Sequence, residues 1–174
     1  CMYNNNNNTQ MLEVKKLGVV LEPTKLHFED TAVLNPGVYQ DGKNIHMFYR
    51  AIDKNHKSCI GYARLNGPTE VVERWNEPII EREFEYESKG VEDPRIVKID
   101  DIFYMTYVAH DGKNAVTAYA TSSNLKNFKK CGIITPQISY HEIKEIFADS
   151  HLKDAYRLFS SFYEEEAGQD VFLW

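Results

Sequence analysis

From Ser88 to Asp101 the chain reads SKGVEDPRIVKIDD, and within it Glu92-Asp93-Pro94-Arg95 sets two carboxyls and a guanidinium at the entrance of an alternating apolar run. A carboxyl held in place can deliver a proton to a leaving group, and a guanidinium beside it can grip an oxygen-rich ligand through paired N–H donors. Proline offers no N–H to a ladder and pushes the residue before it toward extended geometry, so Pro94 is expected to pin Asp93 at the head of a strand Arg95–Ile99. Alternation along that strand sends Asp93 and Arg95 to one side and Glu92 to the other. The plainer alternative is a turn with a structural Asp93–Arg95 ion pair.

Other polar groups stand at comparable places: Asn35-Pro36, Arg50 in MFYRA, and His110-Asp111 in VAHDG. Planar side chains that donate or accept in pairs, backed by aromatic faces, suit a polyhydroxylated sugar, and 13% aromatic residues with 11 tyrosines are compatible with that. Each has a structural alternative. Asp111-Gly112 is first a turn signal, His110 alone can be a satisfied edge histidine, and Arg50 can be a surface residue.

The elements that must position these groups are strands. Short stretches rich in Val, Ile, Tyr and Phe (LGVVLEP, NIHMFYRAI, SCIGYARL, PRIVKI, IFYMTYVAH, NAVTAYAT, YRLFSSFY) are separated by Gly, Asn, Asp or Pro, which predicts an all-β chain. A short helical insertion is expected near 139–150, where Ile143, Ile146 and Phe147 recur at helical spacing behind a Ser139 cap with Glu142. The Asn run Asn4–Asn8 marks residues 1–16 as a disordered leader.

An internal echo orders the strands. Asn35 and Asp93, like Met47 and Met105, stand 58 residues apart, and one residue fewer separates Gly61-Tyr62-Ala63 from Ala118-Tyr119-Ala120. A repeat of about four short strands predicts a propeller blade; a β-sandwich with look-alike hairpins is the rival. At this repeat length the chain supplies about three blades where propellers close with roughly four to eight, so 17–174 is expected to be the N-terminal part of a longer propeller.

Composition removes several classes. The 20 Lys and Arg against 26 Asp and Glu, a net charge of −6, give no electrostatic footing for nucleic acid or anionic membrane. Cys1, Cys59 and Cys131 are an odd number without metal spacing, which argues against a zinc site or disulfide framework and for a reducing, cytoplasmic setting; Cys59 and Cys131 read as small buried hydrophobes.

Taken in order, VLNPGVYQDGKNIHMFYRA, SCIGYARLNGP, GVEDPRIVKIDDIFYMTYVAHDG and AYATSSNLKNFKKCGII resemble glycoside hydrolase family 130, the β-mannoside phosphorylases and related β-mannosidases, from about Leu17 to Ile134. The resemblance implies a five-bladed β-propeller. It implies Asp93 as general acid, protonating the glycosidic oxygen through the mannose 3-hydroxyl while phosphate attacks and inverts the anomeric carbon. It places Asn35 and Arg50 around the sugar, with Arg95 and Asp111 as further substrate-binding positions; His110 is a substrate-binding candidate from its place among the polar groups rather than from the resemblance. It implies no metal or organic cofactor, with inorganic phosphate as a co-substrate and a β-mannoside or manno-oligosaccharide as partner; self-association into a homo-oligomer is left open. Three departures stand out: His110 where the family often has Tyr, Cys59 where a basic residue is common, and LKDAYRLF (Leu152–Phe159) in place of the family's phosphate-carrying NKD…LFP segment.

The expected function is therefore inverting phosphorolysis of β-mannosyl linkages to mannose 1-phosphate. The alternatives are an inverting β-mannoside hydrolase of the same family, a non-catalytic carbohydrate-binding propeller, and a structural or interaction propeller.

Overall fold

The computed structural model describes residues 14–135. The expected helical insertion, the LKDAYRLF segment and most of the expected leader lie outside the described residues. Strand β1 (Ala32–Asp41) turns through Gly42, whose φ of 59° suits a tight hairpin, into β2 (Asn44–Ile52). Then follow β3 (Ser58–Asn66), β4 (Glu70–Arg74), β5 (Gly90–Ile99), β6 (Ile102–His110), β7 (Ala115–Ser122) and β8 (Lys129–Ile133), with a single 3-10 turn at Glu85–Glu87 before β5. No helix among the described residues is long and apolar enough to cross a membrane.

Apart from the 3-10 turn the described residues are all-β, and their strands form two antiparallel four-stranded meanders, β1 to β4 and β5 to β8. Between them runs one parallel ladder pair, Ser58 opposite Gly90. These are two successive propeller blades, each led by its innermost strand, β1 or β5. The third blade expected from the repeat length falls outside the described residues.

Packing follows from burial on both faces. In β6 and β7 alternate residues are buried, Phe103, Met105, Tyr107 and Ala109 against Val116, Ala118 and Ala120, and this set meets Phe48, Ile60, Tyr62 and Ile80 of the first blade in one core between the blades. The opposite face of the first blade, Tyr49, Ala51, Cys59, Ala63 and Leu65, is covered by Val20, Leu21, Leu26 and Phe28. Strand β3, covered on both sides, consequently reads as a nearly unbroken apolar run. LGVVLEP forms no strand: Val20 and Leu21 serve as an irregular cover on a sheet face instead.

Each blade is pinned by a buried carboxylate at the same repeat position. Glu29, fully buried, accepts hydrogen bonds from Tyr49 Oη (2.7 Å) and Thr24 Oγ1 (2.6 Å) and pairs with Arg74 (2.9 Å). Glu87, also fully buried, accepts from Tyr107 Oη (2.8 Å) and from the backbone N–H of Glu83 and Phe84, and pairs with Lys130. Burial and then the carboxylate acceptor push both tyrosine hydroxyls well above their ordinary range, so they remain donors.

Candidate active site

Asn35-Pro36 and Asp93-Pro94 interrupt their strands in the same way. The register slips between Leu34 and Gly37 on β1 and between Glu92 and Arg95 on β5, in each case placing one extra residue opposite the partner strand. Proline is at home in such a bulge because it has no N–H to lose. The residue before it is not extended, as the proline alone predicted: Asn35 has φ 46° and Asp93 φ 50°, left-handed values that Asn and Asp tolerate better than other side chains. The two bulges face each other across the blades, and Asn35 Nδ2 donates to Asp93 Oδ1 at 2.8 Å.

The bulge also overturns the expected alternation. Glu92 and Asp93 do not part to opposite sides; both reach the Arg50 guanidinium, Glu92 Oε1 at 2.7 Å from Nη2 and Asp93 Oδ1 at 3.8 Å from Nη1. The ion partner of Asp93 is thus Arg50, from the neighbouring blade, rather than Arg95. Arg95 is an exposed residue of β5 opposite Thr106. His110 joins Arg50, His56, Lys89 and Glu92 in lining an open cleft of about 390 Å³.

Asp111 is occupied otherwise. Its Oδ1 accepts the backbone N–H of Lys113 and Asn114, each at 2.7 Å, and closes the β6–β7 turn. Burial raises its pKa, but these hydrogen bonds outweigh burial and hold the carboxyl below its ordinary value. Its repeat counterpart Asp53 closes the β2–β3 turn in the same manner, accepting from Asn55 and Lys57. Arg50 and His110 are therefore not repeat equivalents: the position matching Arg50 is Val108.

The site couples two bulged blade-leading strands through an Asn–Asp contact, with a cationic cleft alongside. A family model described as beta-1,4-mannooligosaccharide phosphorylase, that of glycoside hydrolase family 130, matches residues 9–169. The chain belongs to glycoside hydrolase family 130. It is 35% identical over 127 residues to the beta-1,2-mannobiose phosphorylase of Thermoanaerobacter sp. (strain X514), covering 63% of this chain and 42% of that protein. A 1,2-beta-oligomannan phosphorylase of the same organism is 31% identical over 137 residues, covering 71% and 46%. The chain spans less than half the length of these two curated relatives. Among solved structures it is similar to a glycosyl hydrolase from Bacteroides ovatus (TM-score 0.58, 28% identity, covering 64% of this chain and 38% of that one). A further match belongs to work reporting that this family of mannoside phosphorylases contains hydrolases targeting β-1,2-mannosidic linkages in Candida mannan (TM-score 0.60, 27% identity, covering 66% and 38%). The two blades are part of the family's five-bladed propeller.

In this family 130 chain two kinds of residue escaped the reading of the sequence. Glu92 was expected to point away from Asp93 and Ser58 was not named, yet Ser58 Oγ accepts from Arg50 Nε (3.0 Å) and donates to Glu92 Oε1 (3.1 Å). Glu29 and Glu87 stand at the same repeat spacing as Asn35 and Asp93, a signal that could have revealed them. Cys59 is buried as expected, and burial, offset in part by Arg82, pushes its thiol up to about 12. Cys131 is exposed: it sits on β8, the last strand of the second blade, where nothing described covers it.

Proposed function

We propose that the protein carrying this chain is a carbohydrate-active enzyme that cleaves β-mannosides by inverting phosphorolysis, with Asp93 as general acid and Asn35 and Arg50 as sugar contacts. In that reaction the anomeric C–O bond breaks as a phosphate oxygen bonds the same carbon from the opposite face. The departing oxygen takes a proton and mannose 1-phosphate forms. The observation that carries the reading is the Asn35–Asp93–Arg50 contact. Both contacts fall on Oδ1, and among the described residues Oδ2 makes no hydrogen bond, so it is the oxygen assigned to hold and deliver the proton. Two relatives named as mannoside phosphorylases support the substrate class. His110 belongs to the cleft beside the acid, Arg95 to the same strand mouth, and Asp111 contributes through the turn that follows His110. The setting we assign is cytoplasmic.

A hydrolase of the same family is the second reading, favoured by the similarity to a structure from the work on β-1,2-mannoside hydrolases. The deciding experiment incubates the full-length protein with β-1,2- and β-1,4-linked manno-oligosaccharides, with and without inorganic phosphate. Phosphate-dependent release of mannose 1-phosphate is expected; free mannose released at the same rate without phosphate would establish hydrolysis instead. Asp93→Asn keeps size but has no acidic proton, and should lower turnover of these substrates by about 10²–10⁴-fold with the fold intact. Near-normal turnover would remove Asp93 from the acid's role.

A further inference from the structure

An acid that must be protonated sits 3.8 Å from an arginine, which by itself would favour the ionised carboxylate. The arginine, however, is already engaged. Its Nη2 meets Glu92 Oε1 at 2.7 Å, its Nε donates to Ser58 Oγ at 3.0 Å, and Ser58 Oγ donates to the same Glu92 oxygen at 3.1 Å. These three residues close a ring of hydrogen bonds in which the guanidinium cannot turn without breaking two of them. Gly90 completes the seat, since a side-chain carbon there would lie 2.5 Å from Glu92 Oε1. The Glu92 side chain is 16% exposed against 35% for Asp93, so the nearer carboxylate is also the less screened partner.

We propose that Glu92 is a positioning residue that keeps Asp93 competent as an acid: it neutralises and orients Arg50, so that the guanidinium holds Asp93 without stripping its proton. This rests on the reading of Asp93 as proton donor. The charged and titratable groups around the pair are Arg50 from β2, His56 from the β2–β3 turn, Arg82 donating to the Ser58 carbonyl, Lys89 ahead of β5 and His110 at the end of β6, flanked by the turn carboxylates Asp53 and Asp111, with Asn35 and Ser58 as neutral partners. Asp53 and Asp111 are engaged by the backbone N–H groups of their own turns, and the other charged neighbours are cationic or become so on protonation. Glu92 is thus the carboxylate that meets Arg50 directly and offsets its pull on Asp93. Without it, Arg50 would act on Asp93 unopposed.

The test is Glu92→Gln in the full-length protein, which keeps the shape and an acceptor oxygen and removes the charge. Two quantities are followed: the pKa of Asp93, from the ¹³C shift of its carboxyl, and the pH dependence of kcat/KM. Both the carboxyl titration and the alkaline limb of the rate profile are expected to move to lower pH than in the parent. Ser58→Ala, which loosens the ring without changing charge, should shift both in the same direction by less, and it serves alone if Glu92→Gln does not fold. An unmoved Asp93 pKa, with or without a rate loss uniform across pH, would overturn the proposal by reducing Glu92 to a structural role. If the pKa falls while the rate limb stays, Glu92 keeps its assignment and Asp93 loses the role of acid.

Discussion

At the scale of single residues, position in a turn or bulge decides what a carboxylate does. Asp93 lies in a bulge inside β5 and Asp111 just past the end of β6, so Asp93 turns outward to another blade while Asp111 folds back on its own backbone. The second case has a pH signature. The folded pKa of Asp111 lies below its unfolded value, so its stabilisation is fully present above about pH 4 and fades as pH falls through the folded value. Asp111→Asn should therefore cost about 1 kcal/mol at neutral pH, where the turn's two N–H donors lose a charged acceptor, and progressively less below pH 4. Urea denaturation of parent and variant at pH 7 and pH 3 measures the difference, and the same loss at both pH values would show that the carboxylate charge is irrelevant.

At the scale of elements, the site depends on how closely β1 approaches β5. Gly37 lies directly against the Pro94 carbonyl oxygen, and a side-chain carbon there would collide with it. Both atoms belong to the backbone side of bulges that also carry Asn35 and Asp93, so a strand displaced at Gly37 carries Asn35 away from Asp93. Gly37→Ala should cost about 1–3 kcal/mol through overpacking and also reduce turnover, because the acid loses its amide partner. The thermal midpoint and kcat/KM, measured together, should both fall. A variant with unchanged kcat/KM would show that the Asn35–Asp93 contact does not matter to the chemistry.

At the scale of the whole molecule, two blades leave apolar surface on their innermost strands. Val38 on β1 is 51% exposed, and Val97 and Ile99 on β5 are 52% and 54% exposed. In a ring these strands face a channel shared with other blades; alone they offer a patch suited to self-association. The 174-residue chain expressed by itself should associate in a concentration-dependent way in sedimentation velocity and show no turnover of β-mannosides. A monomeric, cooperatively folding and active fragment would contradict this.

Local rules acting on the sequence determined the strands, their repeat and therefore the blades. Alternation in IFYMTYVAH and NAVTAYAT reports one buried face, and the constant spacing from Asn35 to Asp93 reports one architecture used twice. The motif itself was also legible, because Asp before Pro at a strand mouth is a local event. Tertiary structure alone decided which groups meet. A one-residue bulge resets alternation and rotates Glu92 and Asp93 onto the same arginine, and that arginine arrives from another blade, 42 residues from Glu92 in sequence. Spacing along a strand cannot encode that contact, since it depends on how two bulged strands converge and on the glycine that lets their backbones touch.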